Sequence, residues 1–334
     1  MNKLLTIVIP AYNMEKYLSK CLDSLLLPEF QENLEVLLIN DGSKDQTLSI
    51  ANKYEGKYPQ ILRVIDKPNG GWGTAINRGI QEASGKYFKI LDADDWFDAN
   101  ELIKFITLLQ SVDVDLVASS FSYEPEGGES RDSVYDMLLC DKTTLFVDYL
   151  KANEFNKYLP MATLTFQTQL LKDNQINIID RYYGDIDYNL VPLVYVKTLW
   201  FTRINLYKYY IGRKGQSTSL EGYRKHLKDY IDLCKKLTLF YSENSESMED
   251  AIQKMFFKDN LNVIRFSYLL LLSLNYGGKE HANRKLLADL DRFLKKTSKE
   301  FYNATNKICL KKYIPYIYIW RKIGLNVLNF RIKL

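Results

Sequence analysis

Over its first 120 residues the chain repeats one unit: a β-rich apolar run, a polar turn, then a stretch with helical spacing. The apolar runs Leu4–Ile9, Glu35–Ile39, Ile61–Ile65, Tyr87–Leu91 and Leu116–Ala118 are each about strand length. Between them lie the helix-like stretches Glu15–Leu27, Gln46–Tyr58, Thr74–Ala83 and Asn100–Leu109. Ser43 followed by Gln46 has the spacing of a capping box for the second of these. This alternation restricts the chain to an α/β architecture, a mostly parallel sheet with helices on its faces. Ligands of such sheets bind beyond the carboxyl ends of the strands. The polar clusters fall there: Pro10-Ala11-Tyr12-Asn13, then Asn40-Asp41-Gly42-Ser43, then Lys67-Pro68-Asn69-Gly70-Gly71-Trp72-Gly73, then Asp92-Ala93-Asp94-Asp95.

At 334 residues, 46% of them hydrophobic, the chain is long enough for a catalytic domain plus an appended region. Beyond residue 120 the strand–helix rhythm changes; Glu124–Asp132 reads as a polar surface loop. From about residue 222 the apolar spacing is helical, as in Leu286, Leu287, Leu290, Phe293 and Leu294. The expected division is therefore a catalytic domain over 1–220, in halves 1–120 and 121–220, and a helical domain over 221–334.

Four cysteines with no paired spacing and two histidines assemble no local zinc motif, which fits a reduced, cytoplasmic protein. The first apolar segment stops at Pro10 and reads as a strand, not a signal peptide. No apolar stretch reaches the roughly 20 residues that span a bilayer. The net charge of +4 is uneven. Residues 301–334 carry seven Lys/Arg and no acid, leaving the remainder at −3. A nucleic-acid face over the main body is not supported. In the last segment Tyr313, Tyr316, Tyr318, Trp320 and Phe330 interleave with Lys311, Lys312, Arg321, Lys322, Arg331 and Lys333. That pattern suits peripheral contact with an anionic membrane surface, or a final helix packed on its own domain.

Three carboxylates within four residues, Asp92, Asp94 and Asp95, repel one another unless a cation neutralises them. A hard divalent ion shared with diphosphate oxygens would do so; an acidic turn opening a helix is the plainer reading. Asp41 suits a base or ribose contact, or a turn. Asn69-Gly70-Gly71 lets backbone approach a ligand closely, yet it is neither a Walker loop nor a dinucleotide fingerprint.

Taken together, Thr6-Ile7-Val8-Ile9-Pro10-Ala11-Tyr12-Asn13, Asn40-Asp41-Gly42-Ser43-Lys44-Asp45, Asn69-Gly70-Gly71 through Ala75-Ile76-Asn77-Arg78-Gly79, and Leu91-Asp92-Ala93-Asp94-Asp95 resemble glycosyltransferase family 2 in order and spacing. The resemblance covers about residues 3–120. It implies a Rossmann-like GT-A fold and transfer of a sugar, with inversion, from a nucleotide diphosphate, UDP by preference. It also implies a donor site formed by Pro10, Ala11, Tyr12, Asn13, Glu15, Asp41, Asn69, Gly70, Gly71, Asp92, Ala93 and Asp94. Mn²⁺ or Mg²⁺ would sit on Asp94 and Asp95. This chain has Asn40 where the family often has a second acid, and Ile76 where it often has Arg.

Inverting transfer needs a base for the acceptor hydroxyl. Tyr183-Gly184-Asp185-Ile186-Asp187 is similar to the family's downstream acidic motif, with Gly184 in place of Glu. Asp185 takes the catalytic position, with Asp187 as fallback; alternatively these acids open a helix over Ile186–Val196. Arg213, Gln216 and Ser217 resemble the loop that closes over the diphosphate. The signature of processive relatives is absent, so one sugar per encounter is expected. The acceptor is expected to be a saccharide, a lipid-linked saccharide or a protein, in cell-surface glycan synthesis. A sugar nucleotidyltransferase would carry a Gly-rich loop after the first strand, which Pro10-Ala11-Tyr12-Asn13 is not. A sugar-nucleotide-binding scaffold is the non-enzymatic alternative.

Overall fold

The computed structural model describes residues 3–133, 141–152, 159–212, 220–273, 280–309 and 314–323. It opens with β1 (Leu5–Ala11), α1 (Leu18–Asp23), β2 (Leu34–Asp41), α2 (Thr47–Lys57) and β3 (Leu62–Lys67). Next come α3 (Trp72–Glu82), β4 (Tyr87–Ile90), β5 (Trp96–Phe97), α4 (Ala99–Ser111) and β6 (Leu116–Pro125). Then follow β7 (Arg131–Ser133), β8 (Thr143–Leu145), α5 (Phe146–Ala152), β9 (Leu164–Gln167), α6 (Thr168–Asp173), α7 (Gly184–Leu190) and β10 (Thr198–Ile211). These lie in one compact unit, Met1–Asp180 with Gly184–Lys214; a second unit holds Arg181–Tyr183 and Gly215–Leu334.

The sheet order is β3-β2-β1-β4-β9-β6-β10-β5, with β7 on β6 and β8 on β10. The β3-β2-β1-β4 ladders are parallel, as is β6 on β10; β9 runs antiparallel between the two groups. β1 and β4 are buried along their whole length, which explains why they read as continuous apolar runs rather than alternating ones. Chain order reverses at β1, whose neighbours are β2 and β4, so the ligand crevice is due at their carboxyl ends. Pro10 opens that crevice. The last β1–β4 bond runs from the Leu91 N–H to the Val8 carbonyl, and the next rung would need an N–H that proline lacks.

Lys89, in the middle of β4, is fully buried. Its ammonium donates to the carbonyls of Ala162 (2.9 Å) and Leu164 (3.2 Å), where β9 has diverged from β4. Burial lowers its pKa to about 7 from 10.5. The unfolded chain therefore binds more protons between those values, and Lys89's contribution to stability rises with pH across that window. Lys89→Met is expected to flatten this rise. Urea unfolding of both proteins at pH 7 and pH 9.5 should show the parent gaining stability relative to the variant at the higher pH; a difference that does not change with pH contradicts the low pKa.

Local capping differs from the sequence expectation. α2 has no Ser43/Gln46 box: Gln46 is its N-cap without a side-chain bond, and the Ser43 hydroxyl accepts the Asn13 N–H instead. Asp45 takes the capping role, accepting the Thr47 N–H at 3.0 Å. The expected helix over Ile186–Val196 starts earlier, at Gly184. It stops at Leu190, and Pro192 leads a separate 3-10 turn to Tyr195. The loop over Glu124–Asp132 is a hairpin turn joining β6 to β7, with Tyr123 opposite Arg131.

The second unit comprises α8 (Leu220–Lys225), α9 (Leu227–Asn244), α10 (Asp250–Ser273), α11 (Glu280–Thr297), α12 (Lys299–Thr305) and α13 (Tyr316–Ile323). Leu287, Leu290 and Leu294 form the buried stripe of α11. α13 is pinned by Arg321, whose Nε donates to Asp291 (2.7 Å). Its terminal nitrogens reach the Tyr302 carbonyl (2.9 Å), Asn306 (2.7 Å) and the Tyr268 hydroxyl (3.0 Å). Tyr316 and Ile317 are buried, while Tyr318 and Ile323 face solvent. Among the described residues no helix is long and apolar enough to cross a membrane. Residues 310–313 and 324–334 of the basic-aromatic segment lie outside the described residues.

Candidate functional site

The strand ends that carry the motifs are stitched to one another. Asn13 adopts a left-handed φ of 56°, which turns the chain sharply after β1. Its side chain accepts the Lys44 N–H (2.9 Å), and the Glu15 carboxylate accepts the Gln46 N–H (3.0 Å). Asp45 reciprocates by accepting the Glu15 N–H (3.2 Å). The side chains of Asn13 and Glu15, expected at the donor, thus work between the first two loops. Pro10 and Ala11 are buried in β1, while Tyr12 presents an exposed ring beyond it.

Asp41 ends β2 nearly fully buried. It accepts the N–H groups of Gly70 (2.9 Å) and Gly71 (2.8 Å), and Lys67 pairs with the same carboxylate. Asn69 closes the arrangement by donating to the Asp41 carbonyl (2.8 Å). Lys67 also reaches the Thr74 hydroxyl (2.9 Å) at the start of α3. Gly71 sits at φ 92°, and a Cβ there would run into the Asp180 carboxylate. Gly71 is therefore required twice, by backbone conformation and by close approach. Asn40 is buried and donates to Asp66 (2.7 Å), so the position where relatives carry an acid is used inside the sheet.

The acidic cluster follows β4. Asp95 is almost inaccessible, and both its oxygens are engaged, by the Tyr207 hydroxyl (2.5 Å) and the Tyr210 N–H (2.7 Å) of β10. Burial first, then Asp92 and Asp94, pushes its pKa well above the usual carboxylate range. Asp95, expected to share an ion, fastens the acidic turn to β10. Asp94 is half-buried, as is Asp92, which accepts the indole N–H of Trp72 at 2.9 Å. Among the described residues no three His, Cys, Asp or Glu side chains converge as a metal cage. One or two carboxylates fit Mg²⁺ or Mn²⁺, whose remaining positions substrate phosphates and water fill. The mutual repulsion written into Asp95 is what a bound cation would relieve.

Trp72 joins this cluster to the proposed base. A Cβ placed on Gly184 would lie 3.3 Å from the Trp72 ring and 3.1 Å from the Ile179 carbonyl, so the Glu of relatives has no room here without a shift. Trp72 thus spans from the Asp92 carboxylate to the first residue of α7. Asn77 of α3 clasps the approach to that helix, donating to the Ile178 carbonyl (2.9 Å) and accepting the Ile178 N–H (2.7 Å). Asp185 is exposed at the start of α7; desolvation by the protein around it raises its pKa, and the amides at the start of the helix work in the opposite direction. Asp187, the fallback, is fully buried and accepts the Ile179 N–H (2.7 Å), which removes it from contact with an acceptor. Ile76 is wholly buried in the core of α3.

Tyr209 was not singled out by sequence. Burial, then Asp92, Asp95, Asp94 and Asp185 in that order, raises its pKa. One phenol thus feels the acidic cluster and the proposed base together. The signal available was the alternation Asn205-Leu206-Tyr207-Lys208-Tyr209, which places Tyr207 and Tyr209 on one face of β10. Trp72, inside the Gly-rich motif, was legible as an aromatic but not as a bridge. Arg213, Gln216 and Ser217 lie outside the described residues.

Comparison with known proteins identifies the family and the fold. The family described as glycosyl transferase family 2 matches residues 6–174, half of the chain. An uncharacterized glycosyltransferase of Mycoplasma pneumoniae, the MG025 homolog, is 45% identical over 100 residues, 29% of this chain and 33% of its own length. The uncharacterized glycosyltransferase YibD of Escherichia coli is 26% identical over 250 residues, 72% of each chain. The hyaluronan synthase of Pasteurella multocida is 45% identical over 101 residues, 30% of this chain but 10% of that one. The first of these alignments thus spans about a third of its relative's length. Among solved structures, S. aureus TarS 1-349 in complex with UDP-GlcNAc superposes with a TM-score of 0.66 at 19% identity, covering 89% of this chain and 82% of that one. The mannosyltransferase PcManGT of Pyrobaculum calidifontis, in complex with GDP-Man and Mn²⁺, gives 0.51 at 14% identity, covering 90% and 85%. The likeness establishes a GT-A fold.

Proposed function

The chain belongs to glycosyl transferase family 2 and is a glycosyltransferase, and from that premise we propose a single-displacement, inverting, non-processive transfer from a UDP-sugar to a saccharide or lipid-linked saccharide. Asp185 takes the proton from the acceptor hydroxyl, and that oxygen bonds to the anomeric carbon as the bond to the diphosphate breaks. The electron pair leaves with the nucleotide diphosphate. Asp94, with Asp92, would hold Mn²⁺ or Mg²⁺, which when bound supplies charge neutralisation for that leaving group. Asp41 and the Gly70–Gly71 backbone, with the exposed Tyr12 ring, form the nucleoside end of the donor site. Arg213, Gln216 and Ser217 are assigned by resemblance to the diphosphate.

The observation that carries this reading is the Trp72 bridge. It ties the Asp92 carboxylate to the turn that presents Asp185, so diphosphate and base sit on one braced frame. UDP is favoured by the UDP-GlcNAc bound to TarS, although PcManGT was solved with GDP-Man. Thermal unfolding with UDP- and GDP-sugars tests the donor: a UDP-sugar with Mn²⁺ at 100 times its Kd should add about 2.7 kcal/mol of stability. EDTA should remove most of that gain. No shift with any nucleotide sugar would refute the donor site.

We also propose that the protein works at the cytoplasmic face of a membrane, with the exposed Tyr318–Lys322–Ile323 face of α13 toward anionic lipid. Tyr318→Ser with Ile323→Ser should reduce flotation with phosphatidylglycerol vesicles without lowering the melting temperature. Equal recovery of variant and parent would remove the membrane contact.

A further inference from the structure

β6 and β10 are in parallel register with Phe121 opposite Tyr207 and Tyr123 opposite Tyr209, so these four rings share one face of the sheet. The face begins at the acidic cluster, where Tyr207 donates to Asp95 and accepts the Asp92 N–H (3.2 Å). One step outward lies Tyr209. Its ring meets Tyr123 edge-on, with centroids 5.9 Å apart, and Tyr123 in turn leans on the buried Phe121 at 5.0 Å. Tyr123 is thus held from two sides yet left 38% exposed. The Tyr209 hydroxyl makes no hydrogen bond among the described residues, although it sits within the influence of Asp92, Asp94, Asp95 and Asp185. A phenol in that field keeps its proton and is a donor without an acceptor. An aromatic ring fixed by its neighbours beside such a donor matches a group with an apolar C–H face and hydroxyl oxygens at its rim.

We propose that Tyr123 and Tyr209 form the acceptor subsite, in which a neutral pyranose stacks on the Tyr123 ring and accepts a hydrogen bond from the Tyr209 hydroxyl. The inference rests on the reading of Asp185 as base, because it sets the acceptor sugar between that carboxylate and Tyr123. The charged groups that act on Tyr209 are all acids, so a neutral sugar avoids like-charge repulsion there that an acidic one would meet. Arg131, opposite Tyr123 on β7, is the cation that would favour an acidic sugar instead.

Saturation-transfer NMR of the full chain with UDP and Mn²⁺ tests this, using methyl glycopyranosides as probes. Methyl glucoside, methyl galactoside and methyl N-acetylglucosaminide are set against methyl glucuronide. At least one neutral glycoside should bind more tightly than the glucuronide. Tyr123→Ala should weaken it about tenfold and Tyr209→Phe a few-fold, while Tyr123→Ala keeps the parent's melting temperature and its affinity for UDP. The proposal is overturned if no neutral glycoside binds, if the glucuronide binds more tightly, or if Tyr123→Ala binds as the parent does. Asp185→Asn failing to slow transfer would refute the base assignment separately. Glycoside binding is read without turnover, so the two failures are told apart.

Discussion

Asp185→Asn is expected to lower transfer turnover by roughly 10²–10⁴-fold, the usual contribution of a positioned general base. Asparagine keeps the shape and can still accept from the amides at the start of α7, so the loss reports the missing proton acceptor rather than a melted helix. Stabilisation by UDP with Mn²⁺ should survive, since that binding draws on Asp41, the Gly70–Gly71 backbone and Asp94. A radiolabelled-sugar transfer assay beside a thermal shift separates the two effects. The raised pKa of Asp185 gives the pH direction. The active form is the carboxylate, so activity falls as pH drops through that raised value, earlier than for an ordinary aspartate. Near-normal transfer by the variant would move proton removal to another group.

Asp94→Asn should cost roughly 10²–10³ in kcat, the scale of removing one group that stabilises developing charge. Asp95→Asn is the informative contrast. Asp95 is spent on Tyr207 and the Tyr210 N–H, so its replacement should change the melting temperature more than the Mn²⁺ requirement. Mn²⁺ titration by electron paramagnetic resonance, with UDP present, should show weakened binding for Asp94→Asn and little change for Asp95→Asn. The reverse pattern would make Asp95 the ligand.

The sheet was the legible part of the molecule. Continuous apolar runs such as Tyr87–Leu91 can be read because both faces of a parallel strand are covered, and the turns beyond them announce themselves by Gly, Asn and Asp. Side-chain assignments were harder, because adjacent acids look alike in sequence and part company in space. Asp94 stays accessible, whereas Asp95 points at β10, more than a hundred residues away. Asp187 differs from Asp185 for the same reason: two residues along a short helix exchange a solvent-touching position for a buried one. The Ser43/Gln46 box failed because Asn13, thirty residues earlier, claims the serine hydroxyl. Tyr209 and Trp72 carry no ionisable pattern, and their importance comes from what the fold sets beside them.

The Asn77 clasp on Ile178 bears on how the enzyme comes into being. Its two hydrogen bonds join residues 101 apart, so they close one of the long loops of the chain. During synthesis, β1 to β4 can pair early from neighbouring segments. The Gly71–Gly73 turn gains its cover only when Ile179 and Asp180 arrive. If the proposed donor site and base are right, nucleotide-sugar affinity should be a late property of the nascent chain, acquired together with Asp185. A fragment ending before Ile178 should keep the β3-β2-β1-β4 ladders but lack β10 and the cover over Gly71–Gly73.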